Sequence, residues 1–135
     1  MQKYYLDACI WFDYFENRKD RFRPLGEWAL DLIKKIIEEN ALILYSDLVE
    51  AELKRRYLNM FDMLRVVPNR LLIKVIASDA QIKEATLISK KTNIPKPDAL
   101  HAVIARDNNA ILITRDAHFL ELQEDIIIKK PEELI

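Results

Sequence analysis

Five short runs of apolar residues alternate along this chain with longer amphipathic stretches, and that alternation limits the fold more than any other feature. The runs are Lys3-Tyr4-Tyr5-Leu6, Ala41-Leu42-Ile43-Leu44-Tyr45, Leu71 to Ile76, Ala110-Ile111-Leu112-Ile113 and Ile126-Ile127-Ile128. Most are apolar without a break, so they suit strands buried on both faces rather than half-exposed ones. Strands of that kind separated by helices call for a parallel sheet with helices packed on either side. The expected fold class is therefore α/β: a single three-layer domain over residues 1–135, with a short, mostly parallel sheet of four or five strands.

The intervening stretches read as helices. Between Leu25 and Ile37 the apolar residues recur at three and four, a continuous stripe, with Pro24 at its start. Asn40 stands where a left-handed residue ends a helix. Ser46 is placed to cap a helix that carries Asp47 and Glu50 in its first turn and is expected to run to about Leu64. Ser78 and Gln81 form a capping box for another. A proline-started helix follows from Ile94-Pro95-Lys96-Pro97-Asp98, and Asn108-Asn109 ends it. Gly26 is the only glycine, so asparagines must supply most of the left-handed turns.

In an open parallel sheet, ligands bind beyond the carboxyl ends of the strands. Asp7 follows the first strand and Asp116 follows Ile113. Asp98 lies in the first turn of a helix that leads into the strand 111–113, which puts it at the same edge. Glu52 projects between Leu48 and Val49 on its helix, toward the interior, whereas Glu50 shares a solvated side with Asp47 and Lys54. Taken singly, each acid has a plainer explanation. Asp98 favours a helix dipole, Glu52 is one turn from Arg56, and Asp7 and Asp116 can end turns. His101 and His118 read as packing or surface histidines, Cys9 as a small buried thiol, and Lys54-Arg55-Arg56 as a solvated face. Together, Asp7, Glu52, Asp98 and Asp116 form an all-oxygen site suited to Mg²⁺ or Mn²⁺. Such a site fits metal-assisted hydrolysis of a phosphodiester.

With 21 Lys and Arg against 22 Asp and Glu, the net charge is −1, which excludes a strongly basic nucleic-acid clamp but leaves room for a local positive rim. No apolar run approaches the roughly 20 residues of a membrane span. Cys9 is the only cysteine, so no internal disulfide forms, and no basic-then-apolar leader precedes the first strand; a cytoplasmic protein is expected.

Several motifs in order resemble the PIN domain family, and within it the compact VapC-like toxin ribonucleases. They are Tyr5-Leu6-Asp7, Ser46 to Leu53 with Glu52-Leu53, Pro97-Asp98-Ala99-Leu100-His101-Ala102, Ile113-Thr114-Arg115-Asp116-Ala117-His118-Phe119, and the ending Ile126 to Leu134. The resemblance implies a Mg²⁺- or Mn²⁺-dependent endoribonuclease with Asp7, Glu52, Asp98 and Asp116 as catalytic, metal-binding acids and Thr114 supporting the last of them. It also implies an RNA substrate, a small antitoxin as partner and a homodimer. Arg18, Lys19, Arg21, Arg23, Lys96 and Arg115 are the nearest candidates for phosphate contacts, which would weaken with salt. The family commonly has a hydroxyl residue and then Asn or Ser after the first acid, where this chain has Ala8 and Cys9. That departure keeps a second reading open, a PIN-fold module that binds RNA or protein without cutting. A phosphatase of the haloacid-dehalogenase kind would need an aspartate where Cys9 stands.

Overall fold

The computed structural model describes residues 1–122 and 125–135. In chain order the strands are β1 (Lys3–Leu6), β2 (Leu42–Ser46), β3 (Leu72–Val75), β4 (Ile111–Ile113) and β5 (Ile128–Lys129). The helices are α1 (Ala8–Phe15), α2 (Leu25–Glu38), α3 (Asp47–Lys54), α4 (Met60–Leu64), α5 (Asp79–Lys91) and α6 (Lys96–Asp107). All five strands pair in parallel, in the order β3-β2-β1-β4-β5. The chain moves one way from β1 to β3 and then returns across the sheet to β4. Right-handed crossovers therefore put α5 and α6 on the face opposite the earlier helices. The reversal occurs at β1, the central strand, and the crevice beyond its carboxyl end is where such sheets bind ligands.

Asparagine does most of glycine's work. Asn17, Asn40 and Asn109 adopt left-handed φ values of 45°, 56° and 54° and end α1, α2 and α6. At each, the next amide reaches back five residues: Arg18 to Asp13, Ala41 to Ile36, Ala110 to Ala105. That is the double-bonded helix stop that a left-handed residue permits.

Tyr57, at φ 63°, makes the same stop at the end of α3, with the Leu58 amide on the Leu53 carbonyl. The helix expected to continue to Leu64 is thus two: α3 ends at Lys54, and α4 begins at Met60 behind an Asn59–Asp62 capping box. The last strand also shifts, to Ile128–Lys129 from the expected Ile126–Ile128, because Ile126 turns into the core before pairing with β4 begins.

Gly26 is needed for a close approach, not for a turn. A Cβ there would lie 2.7 Å from Asn17 Cα, Asn17 Oδ1 and the Asp13 carbonyl oxygen, two of them backbone atoms. The start of α2 thereby presses on the end of α1, and Gly26 N donates to the Arg18 carbonyl at 2.9 Å. Gly26→Ala is expected to cost about 1–3 kcal/mol by overpacking, read as a lower urea midpoint at an unchanged slope.

Candidate metal centre

Asp7 follows β1 and is only 8% exposed, and its amide is fixed to the Ile113 carbonyl of β4 at 3.0 Å. A buried carboxylate needs donors or a cation. Thr114 Oγ1 donates to Asp7 Oδ2 at 2.9 Å and accepts from the Asp116 amide at 3.1 Å, so one hydroxyl ties the first acid to the last. Thr114 therefore supports Asp7 as much as Asp116. The Cys9 thiol also donates to Asp7 Oδ2, at 3.5 Å, and lies 3.9 Å from Thr114 Oγ1. Burial and the neighbouring Asp7 push the Cys9 pKa up, which keeps it a neutral S–H donor. The thiol is half-buried and occupies the place of polar support that a hydroxyl side chain would fill.

Glu52 sits on α3, two residues before its end, half-buried as its helical phase demands. Its partner is His101, not Arg56: His101 Nε2 lies 3.0 Å from Glu52 Oε1 and 3.8 Å from Asp7 Oδ1. Arg56 reaches Glu16 instead and stacks over Phe12. Glu50 is taken by Lys54 and Lys74; its side chain is 19% exposed against 24% for Glu52, so its side of the helix is not the open one expected, and what separates the two acids is their partners. His101 is 1% exposed, three residues after Asp98 and so on a neighbouring face of α6. Burial pulls its pKa down, but the hydrogen bond to Glu52 and the charges of Asp7, Glu52 and Asp98 outweigh burial and leave it raised.

A second group forms around His118, the second residue of the 3₁₀ turn Ala117–Leu122 after β4. Its Nδ1 lies 3.1 Å from both Asp98 Oδ2 and Asp116 Oδ1, and its amide donates to Asp116 Oδ1 at 2.9 Å. The bond to Asp98 and the charge of Asp116 raise the His118 pKa. Burial, then Asp116 and Asp7, raise that of Asp98, partly offset by His118.

The four acids are thus brought to one edge in two groups, Asp7–Glu52–His101 and Asp98–Asp116–His118. Within each group the candidate ligand atoms all lie within 4.8 Å of one another. The groups share one field, since Asp98 feels Asp7 and His101 feels Asp98. Both histidines read as packing or surface residues in sequence, and both lie among the acids. Two protonatable rings standing between carboxylates mark a place where positive charge is wanted, and the oxygen-rich donor set fits a hard divalent cation.

The cationic candidates divide. Arg18 pairs with Glu16 at 2.7 Å and Arg23 with Asp20. Arg115 Nε binds Asp13 Oδ2 at 3.0 Å and its Nη1 binds Glu132 at 2.9 Å, so Arg115 is an internal strut and not a free phosphate contact. Lys19, Arg21 and Lys96 are exposed and form no ion pair among the described residues.

The chain is thus an α/β domain with a parallel sheet and four acids gathered beyond the carboxyl edge of its central strands. The sequence profile of the PIN domain family matches residues 4–125, and the chain belongs to that family. Among solved structures it is similar to a toxin–antitoxin complex from Klebsiella pneumoniae (16% identity, TM-score 0.65, 95% of this chain and 97% of that one). VapBC2 from Rickettsia felis bound to a promoter DNA fragment matches at 16% identity and TM-score 0.65, over 96% and 98% of the two chains. FitAcB from Neisseria gonorrhoeae matches at 17% and 0.65, over 96% and 99%. At these identities the likeness is one of fold. No curated protein sequence matches.

Proposed function

We propose that the protein is a Mg²⁺- or Mn²⁺-dependent endoribonuclease, residues 1–135 acting as one unit, and that it is the toxin of a toxin–antitoxin pair. The observation that carries this is the meeting of Asp7, Glu52, Asp98 and Asp116 in two ligand groups at the switch point of a PIN-family sheet. When bound, a divalent cation there supplies Lewis acidity toward a phosphoryl oxygen and a hydroxide at neutral pH. The chain's own part is to hold the carboxylates in place. Thr114 and Cys9 fix Asp7, His101 fixes Glu52, and His118 keeps Asp98 and Asp116 apart from each other's charge. Lys19, Arg21 and Lys96 are the exposed cations available to an RNA backbone. The antitoxin partner is suggested by the toxin–antitoxin complex from Klebsiella pneumoniae that shares the fold. A homodimer and a cytoplasmic location complete the proposal.

The test is cleavage of an end-labelled RNA with Mn²⁺ and with excess EDTA, paired with melting curves. At a Mn²⁺ concentration of about 100 times Kd, binding to the folded state adds about 2.7 kcal/mol. For a domain of this size that raises Tm by about 10 °C, and EDTA reverses it. The shift grows with pH, because Asp98 and His101 have raised pKa values and a bound cation displaces their protons into the solvent. A protein that melts at the same temperature with and without Mn²⁺ would instead be the non-cutting module, for which Ala8 and Cys9 are the sequence argument.

A further inference from the structure

The buried polar residues behind the site form one hydrogen-bonded chain. Ser46 Oγ accepts from the Val49 amide at 3.1 Å, capping α3. Ser46 Oγ and Tyr5 OH are 2.7 Å apart, Tyr5 OH and His101 Nδ1 are 2.7 Å apart, and His101 Nε2 is 3.0 Å from Glu52 Oε1. Ser46 and Tyr5 are fully buried and His101 almost so. Among the described residues, Tyr5 OH is the only acceptor for the Ser46 hydroxyl hydrogen, and His101 is the only hydrogen-bond partner of Glu52.

With the His101 ring neutral, only one direction satisfies every group. Ser46 donates to Tyr5, Tyr5 donates to His101 Nδ1, and the ring proton then sits on Nε2, where it is donated to Glu52. Run backward, the Ser46 hydrogen would have no acceptor in a buried site, and the bare Nε2 lone pair would face a carboxylate oxygen. Burial pushes the Tyr5 pKa up, so the phenol keeps the hydrogen the chain requires.

We propose that Ser46, Tyr5 and His101 are a directed relay that aims a single N–H at Glu52 Oε1, which makes His101 a positioning residue of the metal centre and not one of its ligands. The proposal rests on the metal-centre reading above. Glu52 projects from an eight-residue helix close to its end, and the relay anchors that side chain to β1, β2 and α6 at once. One carboxylate oxygen is held by the ring and the other is left for a cation. Ser46 serves both ends, starting the helix that carries Glu52 and starting the chain that orients it.

The test is ¹⁵N NMR of the histidine side chains in alkaline buffer, above the imidazole titration, without metal and then with Mg²⁺. The expected result is the Nε2–H tautomer for His101 in both. An Nδ1–H tautomer, or loss of the Nε2 proton when Mg²⁺ binds, would make His101 a ligand and overturn the proposal. Calorimetric titration of Mn²⁺ supplies the second arm. Tyr5→Phe is expected to weaken binding about 10–100-fold, the usual effect of removing an outer-shell partner, and so is His101→Leu. His101→Gln, whose amide can accept from Tyr5 and donate to Glu52, is expected to hold affinity near the parent. Equal affinity in Tyr5→Phe and the parent would also overturn it. Wild-type protein that binds no cation but shows the Nε2–H tautomer would sink the metal centre alone, so the two failures are distinguishable.

Discussion

Asp98→Asn is expected to lower RNA cleavage by about 10³-fold while leaving the metal-free protein as stable as the parent, or more so. The two effects have opposite origins. In the metal-free fold the Asp98 charge is a burden: burial, Asp116 and Asp7 all disfavour it, and His118 and His101 offset that only in part. An amide of the same shape removes that cost. The same charge is what a divalent cation binds, and Lewis-acid stabilisation worth several kcal/mol corresponds to roughly 10³-fold in rate. Asp7→Asn is expected to match it in rate, because Thr114 and Cys9 can hold an amide oxygen but cannot replace the lost charge. The measurement is the initial rate on labelled RNA with Mn²⁺, beside melting curves in EDTA. A variant that cuts at the parental rate, or that loses activity only because it has unfolded, would count against these acids as the site.

Much of this site can be read from the chain because the acids are tied to features with local signatures. Asp7 ends an aromatic strand, Asp98 follows two prolines that start a helix, and the phase of α3 turns Glu52 inward. Parallel topology then carries all of them to one edge. The breaks at Asn40 and Asn109 are legible for the same reason, since asparagine tolerates the left-handed state. Tyr57 has no such signature: the helical pattern of the sequence continues past it, while its backbone takes a left-handed φ that residues of its kind rarely adopt. The histidines were missed for a different reason. His101 matters through Tyr5, 96 residues earlier, and through Glu52, 49 residues earlier, and nothing in the sequence states those pairings. The available signal was spacing: a histidine three residues after Asp98 on a helix that starts at the acidic edge. Ion-pair partners were hidden likewise, so Arg115 looked like a phosphate contact when it is bound to Asp13 and Glu132.

Arg115→Met is expected to destabilise the protein by about 3–5 kcal/mol, the range for a buried ion pair that loses one partner. Arg115 and Asp13 have side chains only 14% and 4% exposed, so solvent screens the pair little. The guanidinium also holds Glu132 and lies 5.7 Å from the centre of the Trp28 ring, joining α1, α2 and the C-terminal turn to the end of β4. Burial already raises the Asp13 pKa although Arg115 and Arg18 pull against it. Without Arg115 the carboxyl moves further up, so the folded variant holds a proton that the unfolded chain releases. Stability then falls as pH rises through that raised value and returns as pH is lowered toward the ordinary carboxylate range. The deficit against the parent should therefore be largest near neutral pH and narrow in mild acid, as read by urea denaturation at both. Asp13→Asn added to Arg115→Met should recover part of the loss at neutral pH, because the uncompensated charge is gone. Arg115 stands between Thr114 and Asp116, so the single variant should also lose metal affinity without having touched a ligand. A single variant with the parental urea midpoint at neutral pH would mean that the pair is not what holds α1 against the sheet edge.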